Sequence, residues 1–311
     1  MLPDKAIDVH AHFLPPAYRD ALAAAGLMLV DGGMPVPQWS PEAALELMDQ
    51  IGVAGAMLSV SSPFAVSVAG AGAPALCRAV NDYAADLKAR FPDRFGALAM
   101  LPVPMIDESL VELTRALDVL GLDGVALPTN ADGTYLGEAA LAPLLDALDE
   151  RGAAVFVHPT MPCCFEAFGL KLPAPMIEFP FDTTRAIASL LYSGDLSRRG
   201  NIRFIFSHGG GPTSFLSGRL TRIGATPLVG SRALTLADAQ AWLARWHYDL
   251  TMVGSPAEVA AIRAMAPVSQ LLFGSDFPFT PVPMVHAAAA GFAALPFDAD
   301  ARAAILHGNA A

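Results

Sequence analysis

An α/β fold, specifically a (β/α)8 barrel of the TIM type, is the architecture this sequence predicts, and three observations predict it. Short apolar runs alternate strictly with amphipathic segments, and eight such runs fit within 311 residues. The runs are nearly continuously apolar, as strands of a parallel sheet covered by helices must be. A 54% hydrophobic content against 16% charged residues can supply that much buried surface. Composition does not shift along the chain as it would at a linker, so a single domain over residues 1–311 is the simpler organisation.

The first run is Ile7–His12. Ala17–Ala25 follows as a short helix ending at Gly26, and residues 27–40 are irregular, with Gly32-Gly33, Pro35 and Pro37. A segment that long without periodicity reads as a lid-like insertion after the first strand. Ser40 then caps a helix with Pro41 at its first position, running to about Gln50. Further strands are expected near Ala54–Val60, Phe95–Met100, Gly124–Leu127, Ala154–Val157, Ile202–Phe206, Tyr248–Thr251 and Leu271–Phe273. Helical patterns separate and follow them near Pro74–Arg90, Asp107–Leu120, Glu138–Arg151, Phe181–Tyr192, Pro212–Ile223, Leu236–Arg245, Pro256–Met265 and Asp298–Leu306. A doubly wound open sheet is the alternative, but it lacks its glycine-rich nucleotide-binding signatures here.

The formal charge of −11, with no cluster of Lys or Arg opposing it, argues against a nucleic-acid partner. Any anionic substrate must therefore be drawn in by a local feature, such as a metal ion or one well-placed arginine. Cys77, Cys163 and Cys164 suggest no disulfide framework, so a reducing, cytoplasmic setting is expected. Residues 1–15 lack the apolar core of a signal peptide, and the Ala-rich stretches are broken well short of about 18 residues, so no membrane association is expected.

In a barrel of this kind the chemistry sits at the C-terminal ends of the strands. Four runs end in candidate ligands: the first in His10 and His12, the fifth in His158, the sixth in Ser207-His208 and the eighth in Gly274-Ser275-Asp276. Alternate residues of a strand share a face, so the two imidazoles of His10-Ala11-His12 aim the same way, about 7 Å apart. Each residue alone has an ordinary explanation as a packed histidine or a turn aspartate. Their joint occurrence at one end of four strands makes a nitrogen and oxygen donor set suited to Zn²⁺ and compatible with Mn²⁺. His208-Gly209-Gly210-Gly211 could instead be an esterase oxyanion loop, but the nucleophile elbow Gly-x-Ser-x-Gly is missing. Cys163 or Cys164 as a nucleophile is weaker still, and a non-catalytic metal-binding protein is a third reading.

Taken together, Ile-Asp-x-His-x-His-x-x-Pro, the strand-end His-Pro, Ser-His-Gly-Gly-Gly with Gly218-Arg219, and Phe-Gly-Ser-Asp-Phe-Pro resemble the amidohydrolase superfamily. The chain looks most like its aminocarboxymuconate-semialdehyde decarboxylase branch, in particular 6-methylsalicylate decarboxylase-type members. The resemblance implies one divalent metal ion, Zn²⁺ by preference and Mn²⁺ as the alternative, on His10, His12, His158 and Asp276. It implies catalytic roles for His208 and Asp276, no organic cofactor, and a homodimer. The semialdehyde enzyme's carboxylate-binding arginines have no match in a segment without Arg from Ala21 to Gln50. The activity expected is therefore non-oxidative decarboxylation of a 2-hydroxybenzoate-type or 6-methylsalicylate-like acid, with metal-assisted hydrolysis of a lactone or amide as the alternative. Trp39, Asn130, Arg219 and Phe279 are the candidate substrate contacts.

Overall fold

The computed structural model describes residues 2, 5–168 and 170–310 of the chain. Eight strands carry the sheet: β1 (Ala6–His12), β2 (Val53–Ser59), β3 (Phe95–Met100), β4 (Gly124–Pro128), β5 (Ala154–His158), β6 (Arg203–Phe206), β7 (His247–Asp249) and β8 (Leu271–Leu272). Each pairs in parallel with the next in chain order. The circle closes between β1 and the chain after β8. Val9 N–H donates to Phe273 O at 3.0 Å, Asp276 N–H to His10 O at 2.7 Å, and Ala11 and Phe277 form a parallel bridge.

The helices follow from local chemistry. Pro41–Ile51 starts at Ser40, whose hydroxyl accepts from Ala43 N–H, and stops at Gly52 in the left-handed region. Leu236–Arg245 and Pro256–Met265 occupy the residues their periodicity predicts, the second behind a capping box of Ser255 and Glu258. The pattern at Asp107–Leu120 folds as α-helix over Ile106–Thr114 and continues as a π-turn to Val119. A further helix, Val282–Phe292, follows β8. Among the described residues no helix is long and apolar enough to cross a membrane.

Two hydrophobic layers hold the barrel. The larger lies between strands and helices, and the smaller fills the interior with Phe64, Leu98, Ala126 and Phe156. This inner plug supports the site from below: the Phe156 ring stands edge-on to His10 with centroids 4.9 Å apart. Residues 27–40 contain a small antiparallel ribbon, Leu29–Val30 with Met34–Pro35. Its turn is fastened to the loop after β5 by a hydrogen bond from Ala174 N–H to Asp31 O at 3.0 Å.

Candidate metal centre

The barrel brings His10, His12, His158 and Asp276 together, with one donor atom of each lying within 4.8 Å of all the others. His10 and His12 emerge from the end of β1, His158 from the end of β5, and Asp276 from the turn after β8. The Nε2 atoms of His10 and His12 are 3.0 Å apart, and Asp276 Oδ1 lies 3.5 Å from the first and 3.1 Å from the second. His208 stands beside this group, with Nε2 3.9 Å from Asp276 Oδ2.

Backbone stitching fixes these positions. The Asp8 carboxylate accepts from His10 N–H at 3.0 Å and from Ser275 N–H at 3.1 Å, tying the end of β1 to the residue before Asp276. Burial pushes the Asp8 carboxyl up to about 6, although Ser275 and His10 favour its charged form. Gly274 passes so close to His10 that a β-carbon there would stand 2.6 Å from His10 Cβ and 2.3 Å from Thr251 Oγ1. Gly211, at φ +58°, would drive a β-carbon to 2.1 Å from Pro180 O. The glycines beside His208 and Asp276 thus serve close approach.

Every imidazole of the cluster is oriented through its Nδ1. His10 Nδ1 lies 2.9 Å from Asp249 Oδ2, His12 Nδ1 3.1 Å from Ser59 Oγ, and His158 Nδ1 2.9 Å from Pro159 O. Backbone carbonyls and a carboxylate only accept, so the hydrogen of His10 and His158 belongs on Nδ1 and the Nε2 lone pair is left for the centre. Two lone pairs 3.0 Å apart repel unless something positive lies between them, and this donor set fits a divalent cation.

Electrostatics agree with a site that wants positive charge. Burial opposes charge on His10, but the Asp249 and Asp276 carboxylates overcome it and hold the ring's pKa up at about 10. Burial lowers His12, with Asp276 partly opposing, and burial together with the neighbouring imidazoles drives His158 well below the usual histidine range. Burial resists charge on Asp276, yet hydrogen bonds from His10, His12 and His208 keep it well below the ordinary carboxylate range. Without an ion, positive charge in the cluster is favoured on His10 and disfavoured on His12 and His158.

Above the centre opens a cavity of about 850 Å³ whose walls include His158, His208, Asp276, Phe179, Phe279 and Ile262. Phe279 stands edge-on to His12, with ring centroids 5.5 Å apart. The other three candidate contacts lie elsewhere. Trp39 is buried against Phe13, edge to face at 6.1 Å, and belongs to the outer core. Asn130 donates to Asp182 Oδ2 at 2.8 Å and accepts from Gly133 N–H at 3.0 Å, so it builds the turn after β4. Arg219 is exposed on the helix Thr213–Gly224 and does not line the cavity.

Two residues were missed. Asp249 ends β7 fully buried, accepting from His208 N–H at 3.0 Å and Thr251 N–H at 2.9 Å besides its contact with His10. The strand predicted at Tyr248–Thr251 in fact stops at Asp249, so this carboxylate sat unnoticed inside an apolar run. Asp31, in the 27–40 segment, lines the cavity while only 5% exposed.

The amidohydrolase family model matches residues 7–311. A 6-methylsalicylic acid decarboxylase of Penicillium expansum is 35% identical over 282 residues, covering 88% of this chain and 85% of that one. A solved structure of an amidohydrolase II superposes with a TM-score of 0.91 at 28% identity, over 98% of both chains. The 5-carboxyvanillate decarboxylase of Novosphingobium aromaticivorans, solved with manganese and 4-hydroxy-3-methoxy-5-nitrobenzoic acid, superposes at 0.84 with 18% identity, over 99% of this chain and 95% of that one. Matched from the start of its first strand to its last residues, the chain belongs to the amidohydrolase family.

Proposed function

We propose that the chain is a metal-dependent, non-oxidative decarboxylase of a hydroxylated aromatic acid of the 2-hydroxybenzoate or 6-methylsalicylate kind, a carbon–carbon lyase. One observation carries the reading: three imidazoles anchored through Nδ1 and one carboxylate stand beneath a largely apolar cavity large enough for a substituted ring. The name of the Penicillium relative supplies the substrate class.

His10, His12, His158 and Asp276 would hold the ion, Zn²⁺ or Mn²⁺, and a cation there supplies Lewis acidity toward the phenolic and carboxylate oxygens of a chelating substrate. The chain's own residues do the rest. Asp249 fixes the His10 ring and, through His208 N–H, the backbone that carries the His208 ring. Phe279 and Phe179 offer aromatic contact to the substrate within a cavity whose walls are mostly apolar. Asp276, held ionised in the free site, takes a proton from His208 once substrate is in place and passes it to the ring carbon bearing the carboxylate. The bond to the carboxylate then breaks, its electron pair returns to the ring, and carbon dioxide leaves. Water re-protonates His208, so one proton is consumed for each carbon dioxide released. A cytoplasmic homodimer belongs to the same proposal.

The test is carbon dioxide release from 6-methylsalicylate and from a series of dihydroxybenzoates by the metal-loaded protein, with aryl lactones as controls. Release that depends on metal and falls at least 100-fold in His208→Ala, with metal content intact, supports the reading. Lactone opening without carbon dioxide release, or full activity in that variant, overturns it.

A further inference from the structure

The cavity has a second polar locus, apart from the centre. Asp31 enters the wall from the turn of the 27–40 segment, and its Oδ1 is buried with no hydrogen-bond partner among the described residues. Asp31 is part of the cavity wall, and a buried carboxyl oxygen left without a partner there is costly unless a donor moves in to complete it. The other carboxylate on the wall outside the centre, Glu258, is already engaged, accepting from Gly254 N–H, Ser255 N–H and the Ser255 hydroxyl. The position of Asp31 is held firmly. Val30 beside it is buried, its own carbonyl accepts from Ala174, and Gly32, next in the turn, packs so tightly that a β-carbon would meet the Phe165 ring at 2.8 Å. Asp31 itself sits at φ +52°, a conformation Asp tolerates better than most residues.

Charge narrows the ligand further. Among the described residues no lysine or arginine lines the cavity, so no wall residue pairs with a second anionic group. Resting on the decarboxylase reading, we propose that Asp31 is a specificity-determining residue, its carboxyl accepting a hydrogen bond from a hydroxyl on the ring edge that faces the 27–40 segment. The substrate is then a monocarboxylic acid carrying, besides the hydroxyl next to its carboxylate, a second hydrogen-bond donor. Above about pH 7, the value to which burial raises Asp31, a second carboxylate at that edge is refused, because it meets an ionised Asp31 with no counter-ion on the wall.

The experiment compares pairs of 2-hydroxybenzoates that differ by hydroxyl against methyl at each remaining ring position, using kcat/KM of the metal-loaded protein. At one position the wild type prefers hydroxyl by at least 30-fold, since a site built to bond a hydroxyl rejects the analogue lacking it. Asp31→Ala reduces that ratio at least tenfold while the methyl compound keeps its kcat within threefold. Asp31→Asn, which retains an acceptor and suits the left-handed backbone, keeps part of the preference and admits the dicarboxylate better than the wild type. Lack of hydroxyl preference at every position, or a ratio unmoved in Asp31→Ala, overturns the proposal and leaves a water-filled recess. A separate calorimetric arm measures binding of resorcinol against 3-methylphenol, with and without metal. If no acid is decarboxylated but resorcinol is preferred and Asp31→Ala abolishes the preference, the activity reading fails and the recognition role of Asp31 stands. Equal binding of the two phenols by the wild type counts against Asp31.

Discussion

Replacing Asp249 by Asn tests whether the candidate centre depends on a residue that is not itself a ligand. Asp249 accepts three hydrogen bonds, at 2.9 Å from His10 Nδ1, 3.0 Å from His208 N–H and 2.9 Å from Thr251 N–H. Asparagine keeps one acceptor oxygen, which can serve the two backbone donors bonded to Oδ1. Its amide then points N–H toward His10 Nδ1, and the ring must move its hydrogen to Nε2, where it blocks the lone pair the cation needs. Partners of this kind are worth about 10–100-fold in metal affinity, or about 1.4–2.7 kcal/mol. Asp249→Ala is the poorer choice, since leaving three buried donors unsatisfied costs about 1–3 kcal/mol each and endangers folding. Affinity is read by competition against a chromophoric chelator at fixed pH. The metal-free proteins give a second readout. His10 is raised above its unfolded value to about 10, so its contribution to stability is complete below about 6.5 and lost as pH rises to about 10. That alkaline decline in melting temperature should flatten in Asp249→Asn. Metal affinity within twofold of wild type, with the alkaline decline unchanged, would refute the reasoning.

Two further predictions follow from the same geometry. Because His10 is protonated below about pH 10 in the ion-free molecule, metal binding at pH 7–8 should expel about one proton and affinity should rise with pH. Calorimetry in buffers of different ionisation enthalpy counts that proton, and uptake with no buffer protonation contradicts the assignment. Gly274→Ala places a methyl group 2.6 Å from His10 Cβ and 2.3 Å from Thr251 Oγ1. Overpacking of this sort costs about 1–3 kcal/mol or more, so a clear fall in melting temperature and in metal content is expected, and wild-type values for both would show that the close approach is not needed.

What could be read from the sequence was set by where apolar runs stop. His10, His12, His158, His208 and Asp276 each interrupt a continuous apolar run, and the barrel rule then puts all of them at one end. The same criterion would have found Asp249, had β7 not been read two residues too long. Asp31 carried no such signal, because it lies outside any run and reaches the cavity through a ribbon whose pairing is not periodic. Trp39 failed for the opposite reason: an aromatic in an irregular segment looks like a ligand contact, yet its large apolar surface is better buried against Phe13.

Backbone geometry explains why strand ends become a site at all. His208 and Asp276 both have positive φ, at 55° and 59°, and neither is glycine. That conformation is uncommon for such residues and costs free energy that the surrounding contacts must offset. For Asp276 the offset is visible: its N–H is bound by His10 O at 2.7 Å, and the preceding Ser275 N–H is held by buried Asp8. For His208 it is Asp249, which accepts the His208 N–H. In each case the left-handed residue sits beside a strand that ends in another member of the cluster, so the bond that stabilises the turn also fixes the distance between functional groups. The Asp249 carboxylate therefore does more than orient the His10 ring: together with Asp8 it makes the strained turns after β6 and β8 compatible with a folded barrel. Removing either carboxylate outright, as alanine would, should disturb two strand ends at once, which separates them from the ligands, whose loss removes one donor and leaves the backbone in place.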